Sequence, residues 1–416
     1  MRTLLRLAEK LFTIFALILF SGALVAVVSG GSQVEGNFLF QALAFAVYAI
    51  TFCLLAVQSR GFTRIPSNTD IPILLLTGVA VLSYHWSTVP SLTLRRSVAL
   101  VGTTLFGIYF ATRYSPKEQL RLLAWTFGIG AMLSLVFALA LPQYGLDMGT
   151  RAWRGVYVQK NALGNAMSLG SVVFLLTALS SHRYRWIAWL GFGLSFALLV
   201  LSTSKTSLVT FLVLLILLPF YRALRWQYTR FLPLFIIGIL IIASLAVWFI
   251  SEAETFLGFI GKDITLTGRT SLWEAVIAMI QKRPWLGYGY SGFWLGWNGD
   301  SAYIWQVFSW LPPHAHSGIL DLWLDLGLLG VSIFALTFFR SLVKAIALAR
   351  HGKTLEEFWP LLYLTSMLLF NLTYSTILTR NNIAWVLYVA LNFWKPVQHY
   401  RSAKSPIQAT PNKGHG

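Results

Sequence analysis

The chain has 416 residues, 56% of them hydrophobic and 11% charged, and a mean hydropathy of +0.67, against roughly 25% charged in an ordinary soluble domain. That balance excludes a soluble enzyme, because apolar runs of about 20 residues, each able to cross about 30 Å of hydrocarbon, recur along nearly the whole length. The net charge of +18 reads first as membrane topology and contact with lipid phosphates rather than nucleic acid, and the single cysteine, Cys53, excludes a disulfide framework or a cysteine metal site.

In chain order the apolar runs predict about twelve transmembrane helices, at 11–29, 38–57, 71–87, 97–112, 120–141, 162–181, 185–202, 206–221, 231–251, 317–338, 359–378 and 382–396. The first is an anchor and not a cleaved signal, because it continues to Gly30 without a small-x-small site and further spans follow. The fold class expected is therefore an all-α polytopic membrane protein, one transmembrane domain over 1–400, with a polar, disordered cytoplasmic tail over 401–416. If both termini are cytoplasmic, most Lys and Arg fall inside, as the positive-inside rule requires. Eleven stay outside: Arg95, Arg96, Arg151, Arg154, Lys160, Lys205, Lys262, Arg269, Lys282, Arg283 and Arg380. A bound anion is the simplest reason for cations on that face.

Arg95 and Arg96 follow the third span; neighbours on a helix diverge by about 100°, so at most one reaches a central site. Before the sixth span, Arg151-Ala152-Trp153-Arg154-Gly155-Val156-Tyr157-Val158-Gln159-Lys160-Asn161-Ala162-Leu163-Gly164 is dense in cations and aromatics. It is either an interfacial belt on lipid phosphates or an anion site, and Lys160 and Asn161 enter the span itself, where polar groups usually face a cavity. Ser202 to Ser207 is a tight turn whose Lys205 and hydroxyls either hold phosphate oxygens or cap helix ends.

One connection differs in kind. About 65 residues, with the outer-face loop at 252–316, separate the ninth and tenth spans. Ser271-Leu272-Trp273-Glu274 matches a capping box, with an apolar stripe at Trp273, Val276, Ile277 and Ile280 and a stop at Pro284, so a short helix should lie over the bundle. Arg269 at its start is placed to clamp a phosphate, helped by free amides and the helix dipole. Just before the tenth span, His314 and His316 offer a neutral imidazole base, and Asp321 and Asp325 follow on one helix face. The histidines could also be merely interfacial, or join Asp321 on a divalent metal. No Asp-x-Asp and no phosphate-binding glycine–lysine loop occurs.

These pieces in this order resemble the O-antigen ligase and polymerase superfamily of bacterial membrane glycosyltransferases, and most closely its exopolysaccharide-polymerase branch. Trp153-Arg154-Gly155 to Lys160-Asn161-Ala162-Leu163-Gly164 resembles that branch's Trp-Arg-Gly, His-Lys-Asn-x-Leu-Gly motif, and Ser202 to Thr206 its serine-rich turn. Gly268-Arg269 with Trp273, Pro284, Gly287 and Gly289 resembles the start of the large loop, and His316-Ser317-Gly318-Ile319-Leu320 its His-Asn-x-x-Leu motif. Gln159 and Ser317 stand where the family usually has histidine and asparagine, so a base at 159 is not expected.

The resemblance implies a metal-independent, inverting glycosyl transfer at the outer face of the bacterial inner membrane, without a cofactor. The donor would be an undecaprenyl-pyrophosphate-linked glycan, and the acceptor the hydroxyl of a glycan, a lipid or a protein. On it, His316, Arg269 and Asp321 are the expected catalytic residues. Arg154, Lys160, Asn161, Lys205, Arg151, Arg96 and His314 are expected to bind substrate. The competing readings are a twelve-span transporter of a small anion such as bicarbonate and a non-enzymatic scaffold; polymerase and ligase are not separable at this level.

Overall fold

The computed structural model describes residues 2–23, 25, 37–58, 71–147, 149–180, 183–227, 229, 269–308 and 311–393. The expected span 231–251, residues Arg60, Arg64, Lys262 and Gly268, and the tail at 401–416 lie outside the described residues.

The described chain is helical, with no strand beyond an isolated bridge between Leu146 and Trp153. Its helices are α1 (Arg2–Ser21), α2 (Phe38–Gln58), α3 (Ile71–Leu82), α4 (Pro90–Arg113), α5 (Pro116–Ala140), α6 (Lys160–Ser180), α7 (Arg185–Leu201), α8 (Lys205–Ala223), α9 (Arg269–Lys282), α10 (Gly318–His351), α11 (Trp359–Asn371) and α12 (Ile383–Phe393). Among the described residues five are long and apolar enough to cross a membrane: Phe38–Val57, Pro116–Ala140, Lys160–Ser180, Lys205–Ala223 and Gly318–His351. Ile71–His85, Arg185–Leu201 and Ile383–Phe393 are shorter apolar helices. This is an all-α membrane protein.

Helix starts follow local chemistry. Pro90 and Pro116 occupy first-turn positions, where a missing N–H costs nothing, and Ser115 with Glu118 forms a reciprocal capping box on α5. Two of the boundaries that differ from the hydropathy reading bear on candidate site residues. α4 begins at Pro90 rather than near 97, so Arg95 and Arg96 lie inside a helix: Arg95 is exposed and Arg96 is buried. α9 begins at Arg269, two residues before the expected cap at Ser271, and its buried stripe is Leu272, Val276, Met279 and Ile280, with Ile277 exposed.

α10 is broken. Gly327 has φ 65° and ψ −166°, and the segment after α9 docks into the break. The amides of Tyr288 and Gly289 bond the carbonyls of Leu324 (2.7 Å) and Asp325 (3.0 Å), while the amides of Leu328 and Leu329 bond those of Pro284 (2.8 Å) and Trp285 (3.2 Å). The loop thus supplies partners to four of the main-chain groups the break would leave bare. Residues 318–326 become a short half-helix carrying Asp321 and Asp325.

Five connections gather at one end of the bundle. The Trp86 indole donates to the Leu286 carbonyl (2.8 Å), the Trp153 amide to Leu201 (3.1 Å) and the Tyr290 hydroxyl to Leu378 (2.8 Å). The six non-glycine residues with left-handed backbone among those described, Arg151, Thr203, Ser291, His316, Leu378 and Asn381, all lie in these connections or their junctions. Strained backbone of this kind costs on the order of 1–3 kcal/mol and gathers at functional sites. The opposite end carries Arg113 paired with Glu9, and Arg225 on the carbonyls of Ala349 (2.9 Å) and Thr354 (2.7 Å).

Candidate active site

The loop between α9 and α10 has a core of its own. Leu272, Val276, Met279 and Ile280 of α9 pack with Tyr288, Phe293, Ile304, Ala315 and Leu324, so burial of apolar area fixes this helix over the half-helix of α10. The Trp273 indole donates to the Ala315 carbonyl (2.9 Å), and this pins α9 beside the His314-Ala315-His316 segment. Arg269, half-buried in the first turn of α9, is close enough for its charge to act on both histidines. Burial lowers the basicity of Arg269, which still remains a cation.

His316 sits at φ 52°, and its amide donates to His314 Nδ1 (3.1 Å); the two rings lie 4.2 Å apart. Burial, with the neighbouring charges of His316 and Arg269, pushes His314 down to about 3. Burial and then Arg269 also hold His316 below the ordinary histidine value, opposed by a hydrogen bond to the main chain of Thr373. Both rings are neutral near pH 7, and His316 is half-buried, within reach of a bound molecule.

Asp321 anchors this segment. Its carboxylate accepts the Ala315 amide (3.0 and 3.2 Å), the Trp294 indole N–H (2.7 Å) and the Ser375 hydroxyl. It therefore fixes the main chain between the two histidines and ties it to the turn after α11. Gly318 makes the approach of that turn possible, since a Cβ there would lie 2.1 Å from Asn371 Oδ1.

Tyr374 joins two distant motifs. Its ring meets His314 edge-on at 5.1 Å, and its hydroxyl accepts a hydrogen bond from Gln159 Nε2 at 3.1 Å, across 215 residues of sequence. Gln159 immediately precedes Lys160 at the start of α6, so the first motif meets the histidine segment here. Asn161 is exposed beside Lys160. One turn on, Gly164 faces the serine turn: a Cβ there would lie 2.6 Å from Ser204 Cβ and 2.9 Å from the hydroxyls of Ser202 and Ser207. Those hydroxyls are buried, Ser204 bonding Ser207 (2.9 Å) and Ser202 the Leu199 carbonyl (2.6 Å). Lys205, at the start of α8, is exposed, as is Thr203 in the turn before it.

Three expected cations are placed differently. Arg154 spreads its guanidinium over the carbonyls of Tyr144 (2.9 Å), Gln143 (3.4 Å) and Val158 (3.5 Å), which folds its own loop. Arg151 is exposed on a left-handed turn. Arg96 donates to the Ser291 carbonyl and hydroxyl. There it joins Arg380, whose guanidinium donates to Ser291 Oγ (3.2 Å), and both charges act on Asp325. Sequence reading missed Tyr374, Ser375, Trp294 and the Ser291–Arg380 pairing. Tyr374 and Ser375 sat inside an apolar run taken as a span, and Arg380 carried no motif.

Residues 190–335 match the family model described as O-antigen ligase. That stretch holds Lys205, Arg269, His314, His316, Asp321 and the break at Gly327. The chain is also 28% identical over 305 residues to the exopolysaccharide production protein ExoQ of Rhizobium meliloti (strain 1021), covering 69% of this chain and 68% of that one. These two matches support the O-antigen ligase and polymerase family resemblance.

Proposed function

From this similarity to O-antigen ligases and an exopolysaccharide production protein, we propose that the chain is a membrane glycosyltransferase of polysaccharide biosynthesis. It transfers a glycan from an undecaprenyl-pyrophosphate-linked donor to an acceptor hydroxyl, without a metal and with inversion. The observation that carries this reading is the link from Gln159 and Lys160 through Tyr374 to His314, with His316 and Arg269 beside it. A neutral base and fixed cations, drawn from three separate stretches of chain, share one end of the bundle.

The step balances with these groups. The acceptor oxygen forms a bond to the anomeric carbon and the bond from that carbon to the pyrophosphate oxygen breaks. The acceptor proton passes to His316, and the leaving pyrophosphate keeps the electron pair. Arg269, Lys160 and Lys205 offset its developing charge, a role that fixed cations fill without reorganising. Asp321 and His314 hold His316 in place and are positioning residues. Asn161 and Arg151 line the approach for glycan or headgroup, and Arg154 and Arg96 are reassigned to supporting the loops. We place this end on the outer face of the inner membrane, in a twelve-span bundle with both termini cytoplasmic, because the cations that the positive-inside rule leaves outside collect here.

Reconstitution with an undecaprenyl-pyrophosphate oligosaccharide in excess EDTA tests the reading by mass spectrometry of released undecaprenyl pyrophosphate and of glycan length. Growth of a glycan ladder is the expected result, and release that needs a lipid or protein acceptor would make the enzyme a ligase. His316→Ala should lower the rate by about 10²–10⁴-fold. No release from folded protein with any such donor would overturn the proposal in favour of anion transport.

A further inference from the structure

A groove of about 710 Å³ runs along the outside of the bundle between α5 and α7, with α6 as its floor. It ends short of the loop end, at Leu133 on α5 and Leu194 on α7, and opens at the opposite end, where α5 starts after Arg113. Glycines shape it. A Cβ at Gly191 would lie 2.4 Å from the Phe174 ring and one at Gly128 3.3 Å from it, so bare backbone on both walls lets Phe174 form the floor. Its rims are apolar and open: Trp125 is 64% exposed and Leu190 74%. From Lys117 to Leu133 is about 24 Å at about 1.5 Å per helical residue, more than half the roughly 30 Å of hydrocarbon in a bilayer.

The mouth is cationic. Lys117 and Arg121, one turn apart on α5, are both exposed and line it. Across from them Arg183 lies 5.5 Å over the ring of Tyr184, another lining residue, and Glu356 is the acid among the lining groups. An apolar channel of chain length, ending in clustered cations at the depth of the headgroups, matches one amphiphile.

We propose that this groove binds one anionic phospholipid, with an acyl chain between α5 and α7 and its phosphate headgroup at Lys117, Arg121 and Arg183. The inference needs only that the helices span a bilayer and is independent of the reaction proposed above. A zwitterionic lipid fills the same channel but brings no net charge to the mouth, so the headgroup sets the preference. Each cation near a membrane surface is worth roughly fivefold in binding an anionic lipid.

Native mass spectrometry of the delipidated full chain, titrated with dioleoyl phosphatidylglycerol or dioleoyl phosphatidylcholine, tests this. The first phosphatidylglycerol should bind tens of times more tightly than phosphatidylcholine. Lys117→Gln with Arg121→Gln should cut that preference to the few-fold left by Arg183, and Arg222→Gln, a cation outside the groove lining, should leave it whole. Ala124→Phe, which fills the groove, should weaken retention of both lipids in protein whose thermal unfolding is unchanged. Equal binding of the two lipids by the unaltered chain, or a preference undiminished in the double charge variant, would overturn the proposal. Because both altered cations are exposed, that variant stays informative even where Ala124→Phe fails to fold.

Discussion

His316 combines a left-handed backbone, a half-buried ring and a cation nearby, and these set how it should titrate. A base must be neutral to work, so activity is kept above its pKa and lost as pH falls through it. Burial and Arg269 hold that pKa below the ordinary value, which puts the loss on the acid side of about 6.5. Arg269→Gln removes one of the two depressing causes, so the acidic limb of its residual activity should move to higher pH, while Arg269→Lys should keep it. Histidine NMR of the variant in nanodiscs should report the same upward shift for His316; an unmoved resonance would separate the two residues. Asp321 meets donors on both oxygens, from Ala315, Trp294 and Ser375. Asp321→Asn turns an amide N–H toward one of them, at about 1–3 kcal/mol for a donor left without an acceptor. We expect a lower unfolding midpoint and, on the proposed roles, a fall in kcat greater than any rise in KM, because His316 is displaced rather than the cations proposed to bind the donor.

At the scale of elements the decisive feature is the break in α10. At Gly327 a Cβ would lie 2.2 Å from both the carbonyl carbon and oxygen of Trp285, in a backbone region that only glycine enters freely. Gly327→Ala should therefore push residues 284–289 off the half-helix and cost more than about 2 kcal/mol. Limited proteolysis should then cut within residues 284–308 faster than in the unaltered chain. Little of this was visible in the residues. Glycine in an apolar run reads as an ordinary small residue of a span, and nothing local announces that a loop 40 residues upstream will cap the break. The end of the helix expected over 359–378 was hidden in the same way: Asn371 turns the chain by accepting the amides of Thr376 (2.8 Å) and Ile377 (3.2 Å), so a 13-residue helix ends where hydropathy continues. By contrast, the separation of the exposed Arg95 from the buried Arg96 followed directly from helical geometry.

For the whole molecule, the lone Cys53 makes topology measurable. In a Cys53→Ser background, cysteines at Arg151 and Lys205 should react with an impermeant maleimide added to intact cells, and one at Lys353 only after permeabilisation. The reverse pattern would place the histidine end in the cytoplasm.

Composition and the spacing of apolar runs determined the membrane class, the helical fold and most helix positions, because a bilayer forces each spanning segment to satisfy its own backbone. The same reading picked out Arg269, Lys160, Lys205, His314, His316 and Asp321, together with Arg151, Arg154, Arg96 and Asn161, as site candidates, beside interfacial and capping alternatives. Only the tertiary structure decided which of them meet. The partners that join them, Tyr374 to Gln159 and Ser375 to Asp321, lie 215 and 54 residues apart, and no periodicity records a contact made by chain folding back on itself. It likewise separated the cations bonded to loop carbonyls, Arg154 and Arg96, from the exposed Arg151 and Lys205, since nothing in a sequence tells a satisfied cation from an exposed one.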